Sequence, residues 1–573
     1  MGLFIHRTAI AIGLLCGPVV PTFAADQNGY TAQYECRAGG PYCDIDVAAL
    51  GKRACDQVIN PSTPWSAINW GNSTICLEAG DHVWKGTLTI PASANGAAGN
   101  YKVLRYLRTN DNDDEPWNQS DANKAKVKGL YIHGHYWLVH RLTFPGTFDG
   151  PSPRLESSNG STNHIFNRLL VEGVTQAGTS YYGYSQACGF SGYDRLTIQN
   201  SVFRNLGPAG SGIESIAIDL QCGSNMRAVN NEVYNWVAHA VQVGHNFPNP
   251  TLPGLVVENN DFYVTPELYT NGGATAKTEG PLSIKFHGTP ASPGRIIQNR
   301  LWGARRTDLA FCCNGEGGQL ITNYEVLSYV LFQNNILFDA QTGMGNIANN
   351  QSVIGNIFWD IKRHTTLEGS YGIAKWKFND APNQRNWEIY LNTFIGVDGE
   401  WSLNGLDSDD GDTKCNIFIA SAPKYPASTP SSSQADHNAF YGSTPFAFNG
   451  TNTNVNVAFH TRANNANYDN GAVIRLADTP PRDGTSGDFL YMVVTPGESG
   501  PSAPAYCTTL GCTTQDGTMV VRAIRGPHTF YRKLKTGPEK MSIPYAKVHA
   551  SAPEAYRCPS NYSARPGIGI NDQ

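Results

Sequence analysis

The chain has 573 residues, with 42 Lys and Arg against 47 Asp and Glu and a formal net charge of −5. The charges form no acidic or basic block, which argues against a nucleic-acid footprint, and past the first residues no apolar run approaches the roughly 20 residues that span a bilayer. Charged residues make up only 16% while glycine numbers 59; this suits a strand- and turn-rich protein, because Gly and Asn tolerate the left-handed backbone of tight turns.

The N-terminus reads as an export signal over residues 1–24. Met1 to Arg7 form a short basic n-region, Thr8 to Val20 an apolar h-region too short to span a membrane, and Thr22-Phe23-Ala24 a small-residue cleavage site, with cleavage expected after Ala24. Cys16 follows Leu15, where a lipoprotein would want a small residue. The expected location is therefore secreted or periplasmic, where disulfides persist. Of 13 cysteines, Cys36, Cys43, Cys55 and Cys76 crowd the N-terminal end, and Cys507 and Cys512 form a close pair near the other. No CxxC or Cys/His cluster has zinc-site spacing. Residues 25–70 are expected to be a disulfide-capable cap with a short helical pattern from Val47 to Val58.

A repeat governs the middle of the chain. Asn, any residue, then two large apolar residues recur at Asn200, Asn231, Asn260, Asn299, Asn335, Asn356, Asn392 and Asn416, at intervals of 21 to 39 residues. Fixed motifs at such intervals mark a stacked architecture. The segments between them alternate with period two, as in Ile216-Ala217-Ile218-Asp219-Leu220, Val241-Gln242-Val243 and Leu282-Ser283-Ile284-Lys285-Phe286, which reads as half-buried strands. A single rung cannot bury its apolar side, so rungs must stack, and like residues then sit above like, the Asn side chains forming a hydrogen-bonded ladder. The predicted fold is all-β: a right-handed parallel β-helix over residues 71–450, with the N-terminal cap and an irregular β extension over residues 451–573. Residues 145–162 and 265–281 are expected as long loops.

These Asn-ladder rungs resemble the right-handed parallel β-helix superfamily of pectate-lyase-like proteins. Ile75 to Asp81 with Gly86 to Ile90 is similar to an opening rung, and Gly129 to Phe144 to the next strand pair. The resemblance implies a carbohydrate-active protein; the fold hosts lyases, hydrolases, epimerases and adhesins.

Chemistry in such a coil sits where outward side chains of neighbouring rungs converge. Matching the inward pairs Ile218/Leu220, Val241/Val243, Ile284/Phe286 and Leu309/Phe311 gives one outward column of Asp219, Gln242, Lys285 and Ala310. Cleaving a uronate polymer by β-elimination requires neutralising a carboxylate and removing the proton beside it. A lysine can act as base, and lysine bases are what the lyase resemblance implies. The expectation is an exported, monomeric polysaccharide lyase acting on an acidic polysaccharide, with Lys285 as proton acceptor. His287, Arg305, Arg306 or a tyrosine would be the acid, Gln242, His245 and Arg295 the uronate-binding groups, and Asp219 a calcium ligand. The RHG, calcium-cluster and paired-Asp motifs of better-known members are not matched. The rival readings are a glycoside hydrolase pairing Asp219 with Asp308 or Glu279, and a non-catalytic glycan-binding surface protein.

Overall fold

The computed structural model describes residues 45–107, 124–146, 154–158, 160–173, 181–186, 194–206, 215–236, 238–244, 251–264, 280–304, 318–323, 329–345, 350–361, 371–374, 387–390, 392–395, 397, 401–404, 411–414, 416–419, 434–436, 439–441, 453–455, 459–470, 472–476, 490–508 and 512–525. The expected export signal, Cys36 and Cys43 lie outside them. No helix among the described residues is long and apolar enough to cross a membrane.

The chain winds as a right-handed parallel β-helix of three sheets with 14, 11 and 14 strands. Each coil passes from the first sheet (Thr74–Leu77 in the opening rung) to the third (Gly80–Asp81) and then to the second (Leu88–Ile90), and every strand pairs in parallel with its counterpart one coil away. The coil begins before residue 71: Gln57–Ile59 already pairs with Thr74–Leu77. The helical pattern expected from Val47 to Val58 shrinks to Val47–Gly51, capped by the Asp46 side chain, because the second half of that pattern is recruited into the first sheet. The helix packs Val47 and Leu50 against Val103, Leu138 and Ile165. The Cys55–Cys76 disulfide ties this entry to the opening rung. Residues 145–162 are not one loop, since Leu155–Ser157 is a strand of the second sheet.

Inside, like stacks on like. The first sheet contributes the column Leu104, Val139, Phe166, Ile198, Ala228, Val257, Ile296, Phe332, Val353 and Ile389. In the third sheet Phe358, Phe394 and Phe418 stack at ring separations of 4.8 Å, and these residues join one continuous core.

The Asn ladder is present with one correction. Asn231, Asn260, Asn299, Asn335, Asn356, Asn392 and Asn416 are linked Nδ2–H to Oδ1 at 2.9–3.1 Å. Asn200 is not in that ladder: Ser201 takes the rung, donating its backbone N–H to Asn231 Oδ1. Asn200 instead joins a second ladder, Asn167–Asn200–Asn230–Asn259. In that ladder Asn200, Asn230 and Asn259 have φ of 52°, 55° and 54°, the left-handed conformation Asn tolerates. The motif misassigned Asn200 because two Asn-bearing positions adjoin at this corner, and the strand after Asn200 is one residue out of step with the motif: Val202 pairs with Glu232, and Phe203 with Val233.

The described residues between 459 and 525 form a different structure, a five-stranded mostly antiparallel sheet around Tyr491, Val493, Met519 and Val521, with a Cys507–Cys512 disulfide. Its buried Arg462 clasps both oxygens of Asp516, which also accepts from Tyr506.

Candidate active site

The second sheet carries a polar column on its outer side. In register along it stand Thr89, Tyr131, Glu156, Ser185, Asp219, Gln242, Ser283 and Thr322. Strand alternation produces it: Ile218 and Leu220 point into the core on either side of Asp219, and Val241 and Val243 on either side of Gln242. The nearby residues Ala217 and Ala240 pack in the core.

Asp219 and Gln242 sit side by side, as expected, but Lys285 does not continue their row. Ser283 pairs with Gln242, and Lys285 pairs with Gly244. Leu282-Ser283-Ile284-Lys285-Phe286 offers two equally apolar inward pairs, so a slip of two residues preserves the pattern, and the chain uses Leu282 and Ile284. The strand that pairs next in this sheet is Gln319–Asn323; Leu309, Ala310 and Phe311 lie outside the described residues. The lysine side chain nevertheless reaches back: Lys285 Nζ donates to Gln242 Oε1 at 3.0 Å, and Gln242 Nε2 donates to Asp219 Oδ1 at 3.2 Å. Since an ammonium only donates, the amide orientation is fixed. Gly244 makes the close approach possible: with φ of 86°, a Cβ there would lie 2.0 Å from the Lys285 carbonyl oxygen.

Asp219 is fully buried. It accepts from Ser185 Oγ at 3.4 Å, from Gln242, and from Gln221 Nε2. Burial pushes its carboxyl up to about 6, opposed by those three donors and the Lys285 charge. Two rungs away Glu156 is also raised by burial, with the charge of His133 working against the shift, and Tyr131 is raised by burial and by Glu156.

Calcium takes oxygen ligands; N–H and O–H donors already reach the Asp219 oxygens, and among the described residues no group of three or more His, Cys, Asp or Glu could hold a metal. His287 follows core residue Phe286, is half-buried and forms a backbone bridge to Thr251. Arg295 is misplaced by the sequence reading: it is exposed, on the strand Gly294–Ile297 of the first sheet. His140 is buried beside Asn167 and Arg141. His245, Glu279, Arg305, Arg306 and Asp308 lie outside the described residues. Sequence reasoning missed Gln221 and Ser185 as partners of Asp219; Gln221, at the next alternating position, was the findable one.

No protein-family model and no curated protein matches the chain. Among solved structures it is similar to a mannuronic acid-specific polysaccharide family 6 lyase from the human gut microbiota, with TM-score 0.45 and 13% identity over 70% of this chain and 91% of that one. An alginate lyase from Paenibacillus has TM-score 0.32 and 14% identity over 66% of this chain and 98% of that one. The periplasmic alginate epimerase AlgG has TM-score 0.37 and 11% identity over 67% and 84%. The likeness is one of fold.

Proposed function

We propose that the protein is an exported polysaccharide lyase that cleaves an acidic, uronate-containing glycan by β-elimination, with Lys285 as the base. The observation that carries this reading is an amine held on the outer side of the coil by a fixed amide, Lys285 Nζ on Gln242 Oε1 at 3.0 Å. A proton acceptor must be both within reach and rigidly aimed, and a lysine is competent once its free-base form is accessible, which removal from water promotes in general. Lys285 takes the proton from the carbon beside the uronate carboxylate. The released electron pair forms the ring double bond, the bond to the glycosidic oxygen breaks, and that oxygen takes a proton from His287, Arg305 or Arg306. Gln242 is better read as a positioning residue than as a uronate ligand, since Asp219 and Lys285 orient its two ends. No step is routed through calcium.

One observation favours a second reading, glycoside hydrolysis. Asp219, at about 6, is in the range of a general acid. Glu156 is two rungs along the same column, about 9.6 Å at the usual strand spacing, near the separation of inverting carboxylate pairs. A panel of acidic polysaccharides incubated with purified protein and followed by ultraviolet absorbance separates the two. A lyase generates an absorbing unsaturated uronate; new reducing ends without absorbance would replace this reading with the hydrolase, and glycan binding with no cleavage would replace both.

A further inference from the structure

A second polar and aromatic cluster lies at the opening rung, away from the Lys285 column. Between the third-sheet strand Gly80–Asp81 and the second-sheet strand Leu88–Ile90, the chain makes a 3-10 turn, Val83–Lys85. Trp84 on this turn is 63% exposed; with Val58, at 44%, it is one of only two exposed large apolar side chains among the described residues. The indole is not loose: its Nε1–H donates to the Pro61 carbonyl at 2.9 Å. A fixed indole with its face in water offers a pre-oriented apolar platform.

Lys85 beside it is equally fixed. Its Nζ lies 4.4 Å from the Trp65 ring centroid and 5.9 Å from that of Trp84. An ammonium has three N–H donors. One goes to the Asn60 carbonyl at 2.8 Å and one to His82 Nδ1 at 2.7 Å. His82 can accept there because its Nε2–H is used on the Glu78 carbonyl at 2.9 Å, and Trp65 stacks on the imidazole at 5.6 Å. Among the described residues the third donor has no partner. Burial lowers the Lys85 ammonium to about 8, so it remains charged at neutral pH. Neighbouring Asp81 is engaged locally, accepting from the Val83 N–H at 2.8 Å.

We propose that Trp84 and Lys85 form an accessory glycan subsite at the N-terminal end of the coil, which takes a uronate residue of an acidic polysaccharide with the sugar ring on the Trp84 indole and the carboxylate on the free Lys85 donor. An apolar protein partner would use the indole but leave the oriented third donor unmatched; a neutral sugar could accept from it only through a hydroxyl or ring oxygen, without the charge-assisted bond a carboxylate forms. The second sheet places this subsite six strand steps from the strand bearing Lys285, about 29 Å along the coil, so one long chain reaches both and a short oligosaccharide does not. The ligand class is shared with the function proposed above; the residues and the readout are not.

The test is affinity electrophoresis of the full-length protein through gels containing alginate, polygalacturonate or a neutral mannan. To keep the polymer intact, every comparison is made in a Lys285→Ala background. Trp84→Ala and Lys85→Gln should each weaken retention by an acidic polymer roughly tenfold, the scale of losing an aromatic or charged hot spot; Lys85→Arg should restore most of it, and mannan should barely retard any form. In the Lys285-bearing protein, Trp84→Ala should raise KM on polymer and leave turnover of a trisaccharide unchanged. Unaltered retention in Trp84→Ala, equal loss on mannan, or a change only in sedimentation from dimer to monomer would overturn the proposal. Because Trp84 is exposed, its variant keeps the test valid even where Lys85→Gln fails to fold. A protein inactive on every uronate yet retained through Trp84 would defeat the lyase reading and leave this subsite standing.

Discussion

Replacing Gln242 by Met tests whether Asp219, Gln242 and Lys285 act as one unit. Met keeps the side-chain length and fills the same space, so no cavity term enters, while both polar ends disappear. Two hydrogen bonds are lost, from Lys285 Nζ at 3.0 Å and to Asp219 Oδ1 at 3.2 Å. Each joins a charged group when both residues are ionised, and such bonds contribute about 1.5–3 kcal/mol each, so the loss should be about 3–6 kcal/mol. The sign of the pH dependence follows from Asp219. Its folded carboxyl is raised to about 6 from 3.8, so its contribution to stability is fully present below 3.8 and is lost as pH rises through about 6. Gln242 is one of the donors that limits that rise. Without it the carboxyl should move higher, and the variant should suffer most where Asp219 is charged. Urea unfolding followed by tryptophan fluorescence at about pH 5 and about pH 8 should show a penalty larger by about 1–2 kcal/mol at the higher pH, the difference between a charged and a neutral hydrogen bond. An equal penalty at both values, or one below about 1 kcal/mol at the higher, would show that the amide does not couple the two groups.

Four further outcomes follow from the same geometry. Lys285→Ala and Lys285→Arg should both lose turnover by at least about 10²-fold, the scale of general-base catalysis, with polymer binding retained, because guanidinium holds its proton too tightly to serve; wild-type ultraviolet product from either would end the assignment. Gly244→Ala, whose Cβ would sit 2.0 Å from the Lys285 carbonyl, should displace that strand and reduce turnover as much, whereas unchanged rates would show that the close approach is not required. Buried His164, held neutral between Ser157 Oγ and the Gly134 carbonyl, has its pKa lowered to about 4; its contribution is fully present above 6.5 and lost as pH falls through about 4, so His164→Gln should show a shallower acid denaturation curve than the parent. Reducing Cys55–Cys76, which closes a sequence separation of 21, should cost about 3 kcal/mol of loop-closure stabilisation, read as a lower Tm with dithiothreitol.

The Asn motif and the period-two alternation determined the fold on their own, because a rung that cannot bury its apolar side alone leaves stacking as the only solution. The same alternation placed Asp219 and Gln242 side by side. What the sequence left undecided is register wherever the pattern is degenerate. Asn200 and Asn231 share a motif but occupy adjacent ladders, and Lys285 sits two residues along from its expected row, because a two-residue slip in an alternating strand exchanges one apolar pair for another at no cost in burial. Arg295 is near Lys285 in sequence, yet ten residues suffice to carry the chain round a corner to another sheet. Trp84 and Lys85 carry no signal in the sequence, since a Trp-Lys pair is no motif. Only the tertiary structure decided those contacts: they depend on which corner each coil turns and on how far a long side chain reaches back across it, and neither is encoded in local periodicity.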